Sequence, residues 1–498
     1  MAKRQFSAVA RRAAGRTRQL AVVVLAVCCV AGLVVLERQP ARTTSFTGVS
    51  RVAVPGFRRD AKASTWFCPG VIGNDDQVSG RLVISNSGEV PVGGTITRFV
   101  VDEPARPQRF AVPARSTLEV DALAGVQAPF VSALIETQGA AVTVEQLTIH
   151  RAGNAVTACA SSPSGTWFLA DGFTGADSVE QIVVTNPSLD SAILDVSFVT
   201  NIGERSPQSL KGVVIPPESV RVFDMAALDA RNEITLAVSV RASVGRVVVG
   251  RSQHYLGRGR LGYTMSLAAS ATSTRWFFAD GEKSASVTEE FVIFNPSPTD
   301  QQLTFIVADD SGLALDPITV TAPSRRVTKF APSGLSALPD GRYSAIIAAT
   351  PATTSSVPDV ATESVVVEKV TTRSEGKSTA SAVLLGTPSS AREWLAPSGV
   401  AIGLPDALRI FNPNSAPALF RVAYLGPAGE VPIVGYEEVA LAPGASVSVL
   451  LADEAASSTV SVVSSEPIVV HRRHVRGARQ PIRGVASLIA AVEVREQS

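Results

Sequence analysis

One motif constrains the fold more than any other feature, because the chain contains it four times. Each copy starts at a tryptophan and ends at an asparagine, and the two are 20, 19, 19 and 18 positions apart. The four pairs are Trp66 and Asn86, Trp167 and Asn186, Trp276 and Asn295, and Trp394 and Asn412. The chain has no other tryptophan. This register indicates tandem repeats of about 100 residues each.

The segments around each asparagine have the pattern of short β-strands. In the second copy, Glu180–Thr185 runs into the turn Asn186-Pro187, and Ala192–Thr200 then alternates apolar with polar side chains. Proline cannot donate to a strand ladder, so it ends the first strand, and the alternation is typical of a half-buried strand. The matching turns in the other copies are Asn86, Asn295-Pro296 and Asn412-Pro413. About seven or eight such strands per repeat predict an immunoglobulin-like antiparallel β-sandwich.

The predicted architecture is all-β, with four independent sandwiches in a row behind one N-terminal transmembrane helix. A propeller is the alternative, but propeller blades have about 40–50 residues, roughly half of one repeat. The chain is also too long for a single compact core. The predicted boundaries are a basic cytoplasmic segment at 1–19, a transmembrane anchor or signal segment at 20–36, a tether at 37–61, and repeats at 62–163, 164–272, 273–390 and 391–498.

The N-terminal segment indicates where the protein resides. Residues 1–19 contain six Lys or Arg side chains and no acidic one, and Leu20–Leu36 is uncharged and almost wholly apolar. A helix of that length is close to the shortest that spans a bilayer, and the basic flank predicts a cytoplasmic N-terminus. No small-residue cleavage site follows the segment. We therefore expect a single-pass cell-membrane protein with an extracytoplasmic bulk; secretion after signal cleavage is the alternative.

The tryptophans have a structural and a functional interpretation. A buried indole fills a sandwich core, whereas an exposed one stacks on sugars. Because all four mark the repeat itself, we interpret them as core residues. Asp171-Gly172 and Asp280-Gly281 follow two of the tryptophans, and two copies lack the aspartate, so turns explain them better than calcium ligands.

Two of the four cysteines predict a disulfide. Cys68 follows the first tryptophan, and Cys159 lies in the closing segment of the same repeat. An extracytoplasmic space is oxidising and permits such a bond. Cys28 and Cys29 lie inside the apolar segment and behave there as small hydrophobic residues.

Charge and motif content exclude several classes of function. After residue 19 the chain has 39 basic and 44 acidic residues, which argues against nucleic acid as a partner. The four histidines do not share a repeat position and lack partners at zinc-site spacing. Ser374–Lys377 matches a Ser-x-x-Lys motif, but in a glycine-containing turn rather than on the helix that this chemistry needs. We predict no catalytic residue, no metal and no cofactor, and therefore no enzyme.

The chain resembles an actinobacterial family of uncharacterised proteins, domain of unknown function 5719. The resemblance rests on the short N-terminal membrane segment, the Trp-Phe-Cys-Pro-Gly of Trp66–Gly70, the Asn-Pro turns and the late Val-rich strands, and it covers nearly everything after residue 60. It implies a membrane-anchored, extracytoplasmic β-repeat protein of the cell envelope. Its motifs are structural, so it implies no reaction and transfers no functional residue.

The expected function is a non-enzymatic scaffold or interaction protein of the bacterial cell envelope. The alternative is a cell-wall glycan-binding module that assists envelope polysaccharide assembly. The expected partners are the membrane, through the N-terminal helix, and envelope proteins or cell-wall polysaccharide. The chain has only five tyrosines, and its tryptophans are committed to the repeat, which argues against a conventional aromatic platform for sugar and leaves a polar groove open.

Overall fold

The computed structural model describes most of the chain from residue 55 onwards. The described residues are 55–58, 61–101, 103–139, 141–351, 364–375, 378–397, 406–426, 428–456, 458–474, 487–490 and 492–495. Nearly all of their regular structure is β, in mainly antiparallel sheets, which confirms the all-β prediction. The described helical pieces are short: the 3-10 turns Gly175–Asp177, Gln208–Leu210 and Pro332–Gly334, and the helix α1 (Asp453–Ala456).

The predicted anchor at 20–36 lies outside the described residues, together with residues 37–54 of the predicted tether. In the described part of the chain, no helix is both long and apolar enough to cross a membrane. The end of the predicted tether differs from expectation. It forms a strand, β1 (Gly56–Arg58), which belongs to the β-structure rather than to a linker.

Repeat 1 folds into two four-stranded sheets whose apolar faces meet. Its strands are β2 (Ser64–Val71), β3 (Ser79–Asn86), β4 (Val92–Val100), β5 (Glu103–Val112), β6 (Ser116–Asp121), β7 (Val131–Thr137), β8 (Val142–His150) and β9 (Gly153–Ala158). One sheet has the order β2-β7-β4-β5 and the other β6-β3-β8-β9. Ile135 of the first sheet and Leu82 of the second share one buried cluster with Trp66.

Repeats 2 and 3 have the same two sheets. Repeat 2 contains β10 (Thr166–Leu169), β11 (Val179–Asn186), β12 (Ala192–Thr200), β13 (Glu204–Arg205), β14 (Val213–Ile215), β15 (Ser219–Asp224), β16 (Leu236–Val244), β17 (Val248–Gly257) and β18 (Arg260–Leu267). Repeat 3 contains β19 (Arg275–Lys283), β20 (Val287–Asn295), β21 (Gln301–Asp309), β22 (Ile318–Ala322), β23 (Arg326–Phe330), β24 (Gly341–Pro351), β25 (Val366–Glu375) and β26 (Ser378–Leu385). The sheet orders are β10-β16-β12-β13 and β15-β11-β17-β18, then β19-β24-β21-β22 and β23-β20-β25-β26.

Repeat 4 follows this plan, but one long strand joins its two sheets. Its strands are β27 (Ala391–Ala396), β28 (Asp406–Phe411), β29 (Ala418–Gly426), β30 (Gly429–Pro432), β31 (Val439–Leu441), β32 (Ser446–Leu451), β33 (Val460–His474), β34 (Ser487–Ala490) and β35 (Val492–Arg495). The first part of β33 pairs with β27 and β29, and its last part pairs with β28 and β34. β35 pairs with β27, and β1 pairs with β35 in parallel.

The strand order within a repeat differs from that of an immunoglobulin domain. There, the first two strands lie in the same sheet. Here, β2 pairs with β7, while β3 lies in the opposite sheet beside β8. The chain changes sheets directly after β2 and changes again between β7 and β8, so that the last two strands, β8 and β9, extend the sheet of β3. This change places the closing strand of each repeat at a sheet edge.

The closing strands join the four repeats to one another. β18 lies against β9 and β26, and β34 lies against β26 and β9, so the four strands form a closed cycle. Small residues allow the close approach: a Cβ added to Gly262 would lie 3.4 Å from the Ala152 carbonyl oxygen and 3.6 Å from the Ala380 Cβ. Residues 50–498 form one compact unit. The predicted row of independent sandwiches is therefore wrong, because each repeat buries surface against two others.

The residue after each tryptophan also links neighbouring repeats. Successive side chains of a strand point to opposite faces, so the tryptophan fills its own repeat and the next side chain points outward. Phe67 joins the apolar cluster of repeat 2, Phe168 joins that of repeat 3, and Leu395 joins that of repeat 1. Phe277 packs with Phe411 of repeat 4. The fourth repeat thus returns to the first.

Candidate functional site at the junctions between repeats

The four tryptophans are core residues, as the sequence predicts. Each is at most 1% exposed. In repeats 2 to 4 the indole N–H donates to a backbone carbonyl at one equivalent place near the late strand, at 2.7–3.0 Å. The acceptors are Val247, Val365 and Ile468. Trp66, Trp167, Trp276 and Trp394 therefore offer no platform for sugar stacking.

The repeated asparagine connects two turns of its repeat. The Asn186 amide nitrogen donates to the carbonyls of Asp190, Ile215 and Pro216, and its Oδ1 accepts from the Ser188 N–H at 3.1 Å. The other three asparagines make the same four contacts. They are Asn86, Asn295 and Asn412, and all are buried. Four satisfied hydrogen bonds on one buried amide stabilise both turns.

The prolines after the asparagines contribute less to these turns than the asparagine side chains do. Pro187 and Pro296 directly follow the ends of β11 and β20, and Pro413 lies two residues after β28, so strands end there as predicted. The first copy has Ser87 instead, yet Asn86 keeps every contact. The sequence pattern attributes the end of the strand to the proline, whereas the asparagine side chain holds the turn. The sequence contains an indication of this role of the asparagine, because the first copy has the asparagine without the proline.

The predicted disulfide between Cys68 and Cys159 is present and buried. It joins β2 to the segment after β9, beside the backbone pair of Phe67 and Ala160. The equivalent pair is Leu169 and Ala268 in repeat 2, and Phe278 and Gly386 in repeat 3. A Cβ on Gly386 would lie 2.6 Å from the Phe278 ring. Repeats 1 to 3 thus fill the same space with three different pairs of residues.

A fourth repeated position carries a buried donor. In the strand pairing it lies opposite the residue four positions before the repeated asparagine, at Gln146, Arg251, Lys369 and Arg472. Each side chain donates to a backbone carbonyl in the bend that follows the tryptophan of its own repeat. The acceptors are Gly70, Asp171, Asp280 and Pro397. These groups, of which three are charged and Gln146 is a neutral amide, fix the backbone and are fully or almost fully buried.

The residue before this donor faces the preceding repeat, and its chemistry changes from junction to junction. At the junction of repeats 2 and 3 it is Glu368. Its Oε2 accepts from the N–H groups of Ala170 and Asp171 at 2.9 and 2.7 Å, and its Oε1 accepts from Arg251 at 3.0 Å. Burial works against the charge of Arg251, but Glu368 together with the nearby Tyr255, Asp171 and Glu180 outweighs it and raises the pKa of the guanidinium. This ion pair crosses the junction with no exposed surface.

Asp171 completes the same junction. Its carboxylate accepts from Arg260 at 2.9 Å and from the Tyr255 hydroxyl at 3.2 Å. Burial alone raises the pKa of Asp171, but Arg260 and Arg251 bring it below its ordinary value. Asp280 likewise lies inside β19 and faces Arg342 at 3.3 Å. The two aspartates that the sequence assigned to turns are therefore buried ion-pair partners.

At the junction of repeats 3 and 4 the equivalent residue is His471. It is buried, its Nε2 lies 2.9 Å from the Thr387 hydroxyl, and burial lowers its pKa to about 3. Beside it Arg409 reaches across to Asp310, with Nη2 and Oδ1 2.6 Å apart. These groups hold the repeats together and leave His471 uncharged at neutral pH.

At the junction of repeats 1 and 2 the equivalent residue is Gly250. A Cβ there would lie 2.4 Å from the Cβ of Pro69, so the two backbones touch. Next to this contact His150 stacks on Tyr263, with ring centroids 4.3 Å apart, and meets the edge of His254 at 4.8 Å. Burial, and then His254, lower the pKa of His150 to about 4. The junction is thus built from neutral rings.

The same junction holds an open groove of about 560 Å³. Its walls come from the loop after β2, the segment before β7, the turn after β8, and β11 of repeat 2. Most of the lining side chains are polar. Within the part of the chain that the structure describes, no three His, Cys, Asp or Glu side chains are placed to hold a metal ion. What the groove can do chemically is form hydrogen bonds.

Comparison with known protein families assigns the chain to one of them. The model of the family of unknown function DUF5719 matches residues 117–388, more than half of the chain. The chain belongs to this family. The match runs from β6 in repeat 1 to the end of repeat 3, and the fourth copy of the motif lies beyond it.

Other comparisons add little. No curated protein matches the chain. Among solved structures, the chain is similar to the tetra-tandem repeat in the extending region of a large adhesion protein, at 11% identity, with 82% of this chain and 94% of that chain covered. The TM-score is 0.12, which supports no inference about fold or function.

Proposed function

We propose that this protein is a non-enzymatic, membrane-anchored scaffold or interaction protein of the bacterial cell envelope. The observation that carries the proposal is that buried charged side chains form ion pairs between one repeat and the next. Glu368, Arg251 and Arg409 are the kind of groups that enzymes employ, and all three hold one repeat against the next. A unit braced in this way keeps its outer strands and loops in fixed positions, which suits the presentation of binding surfaces.

The proposed location rests on two features. A disulfide such as Cys68–Cys159 persists in oxidising compartments and is rare in the cytosol. The apolar segment 20–36, with basic residues before it, supplies the anchor and the orientation. We propose that the four two-sheet units are immunoglobulin-like in their layers and lie entirely outside the cytoplasm.

Alkaline phosphatase fused to the C-terminus tests the location, because this enzyme is active only after export. We expect an active fusion that stays in the membrane fraction after carbonate extraction. Deletion of 20–36 should abolish the activity. An inactive fusion in the intact protein overturns the proposal. An active fusion found in the medium, with a mature N-terminus after residue 36, instead establishes the secreted alternative.

A second candidate function is binding of cell-wall glycan. The observation that favours it is the polar groove between repeats 1 and 2, which does not depend on exposed aromatic rings. Retention of the purified protein on wall polysaccharide, saturable and competed by soluble polysaccharide, is the expected result. Equal retention on an inert resin contradicts it.

A further inference from the structure

The groove between repeats 1 and 2 has the size and position of a ligand site. Its volume of about 560 Å³ lies within the range of roughly 300–1,000 Å³ that is typical of small-molecule sites, and such sites favour the interfaces between structural units. Six polar side chains line it: Asn74, Asp75, Asp76, Gln77, Arg151 and Gln181. The first five belong to repeat 1 and the last to repeat 2. Repeat 1 therefore supplies most of the groove, and repeat 2 completes it through Gln181.

The groove loop is held in place by its own hydrogen bonds. Asp75 Oδ1 accepts from the Gln77 N–H at 2.9 Å, and Gln77 Oε1 accepts from Arg151 at 3.1 Å. The Gly73 N–H donates to the Ala128 carbonyl at 3.0 Å, which ties the loop to the facing segment. A site fixed before the ligand arrives loses less conformational entropy on binding.

The facing segment is anchored on repeat 2. Phe130 is 1% exposed and packs with Val183 and Val220 of that repeat. Pro129, next to it, is exposed at the groove. The facing segment belongs to repeat 1 and also packs on repeat 2, so contacts with both repeats hold it in position.

The groove offers donors and acceptors in a mixture that suits hydroxyl groups. Carboxylates only accept, a guanidinium only donates, and each amide does both. A sugar hydroxyl both donates and accepts, so a run of hydroxyls can satisfy all three types. We propose that this groove binds a short stretch of saccharide, an assignment that rests on glycan binding as the second candidate function and adds the site to it.

A basic peptide fits the groove less well. Asp75 and Asp76 attract cations, but Arg151 lies in the same wall and opposes them. The formal charge of the lining is one negative unit, and half of its polar side chains are uncharged amides. The balance favours a neutral polyhydroxylated ligand.

The test uses the full chain in lipid nanodiscs, which contain no glycoside detergent. Chitotetraose, cellotetraose and maltotetraose are titrated by saturation-transfer difference NMR, with tetralysine as a fourth probe. We expect saturable binding of at least one tetrasaccharide. The double variant Asp76→Ala with Arg151→Ala should bind it at least tenfold more weakly, since both side chains are exposed and their loss leaves the core intact. Asp316→Ala, an exposed aspartate in repeat 3, is the control and should bind within twofold of the wild type.

Three results overturn the assignment: no tetrasaccharide binds, the double variant binds as the wild type does, or tetralysine alone binds. The outcome separates the site from the wider function. Retention on wall polysaccharide that the double variant preserves supports glycan binding and rejects this groove. Tetrasaccharide binding that the variant loses, without retention on wall polysaccharide, supports the groove and rejects the wall as its source.

Discussion

At the junction of repeats 2 and 3 the late strand presents Glu368 to the preceding repeat, whereas at the junction of repeats 1 and 2 the same position holds Gly250. The first junction is filled by a buried ion pair with Arg251. The second is filled by a backbone contact with Pro69 and by histidine and tyrosine rings, and it leaves a groove beside them. The two junctions thus differ in what fills them: a buried ion pair in one, and a backbone contact with aromatic rings and a groove beside them in the other.

The largest expected effect of a single substitution is that of Glu368→Ala. It leaves the Arg251 charge and the N–H groups of Ala170 and Asp171 buried without their partner. We expect a loss of about 3–5 kcal/mol in the free energy of unfolding, measured by urea denaturation. Glu438→Ala, at an exposed position, should change it by less than about 0.5 kcal/mol. A loss below about 1 kcal/mol in Glu368→Ala would show that the ion pair does not hold this junction.

Removal of the disulfide tests whether it fills the space in repeat 1 that apolar residues fill in repeats 2 and 3. The bond closes a loop with a sequence separation of 91, and its removal by Cys68→Ala with Cys159→Ala should cost about 2–5 kcal/mol. Cys68→Leu with Cys159→Ala reproduces the pair found in repeat 2 and should recover part of the loss. Equal stability of the two double variants would contradict the view that these positions form one shared space.

Gly250→Ala tests the close contact at the junction of repeats 1 and 2. The new Cβ would lie 2.4 Å from the Pro69 Cβ, so the repeats must move apart, at a cost of about 1–3 kcal/mol. Gly165→Ala is the matched control, because a Cβ there meets nothing within 4 Å. If Gly250→Ala is as stable as this control, the two repeats are less tightly joined than their geometry indicates.

The smallest expected effect is a dependence on pH that the histidines at this junction create. The pKa of His150 is lowered from 6.5 to about 4 in the folded protein, so the unfolded chain binds the proton first as pH falls. Stability is therefore full well above pH 6.5, so almost no effect remains at neutral pH, and it declines as the pH falls towards 4. His150→Gln should reduce the decline between pH 6.5 and 4. His471 remains in that variant and contributes its own decline at the other junction. An unchanged pH profile in His150→Gln would mean that His150 protonates freely in the folded state.

The parts of the fold that follow from local pattern could be predicted. Ala192–Thr200 was predicted as a strand from its alternation and is β12 with those limits. The tryptophan register identified the repeats and their cores. The disulfide followed from two cysteines at the ends of one repeat. The strand and the disulfide are indicated within one copy, and the register is indicated by the spacing of the four copies.

The arrangement of the repeats was missed, although a signal was present. Phe67, Phe168, Phe277 and Leu395 follow the four tryptophans, and an independent sandwich would place polar side chains at that outward position. Four apolar residues there indicate a covered face.

For the charged junctions and the groove, the sequence contains no repeated pattern of this kind. Glu368 and Arg251 are 117 residues apart in different repeats, and the position of Glu368 is glycine in one copy and histidine in another. The groove combines side chains of two repeats, so it cannot be located before their arrangement is known.

The pairing of β1 with β35 has a consequence for biosynthesis. Gly56 lies opposite Glu493, so β1 must wait for its partner strand until more than 400 further residues have been synthesised. The first repeats can form their own sheets during synthesis, but the pairing of β1 can form only after β35 has been made. Loss of Val492–Arg495 should therefore expose the segment around β1 as well, and a protease that cuts near residue 60 would report it.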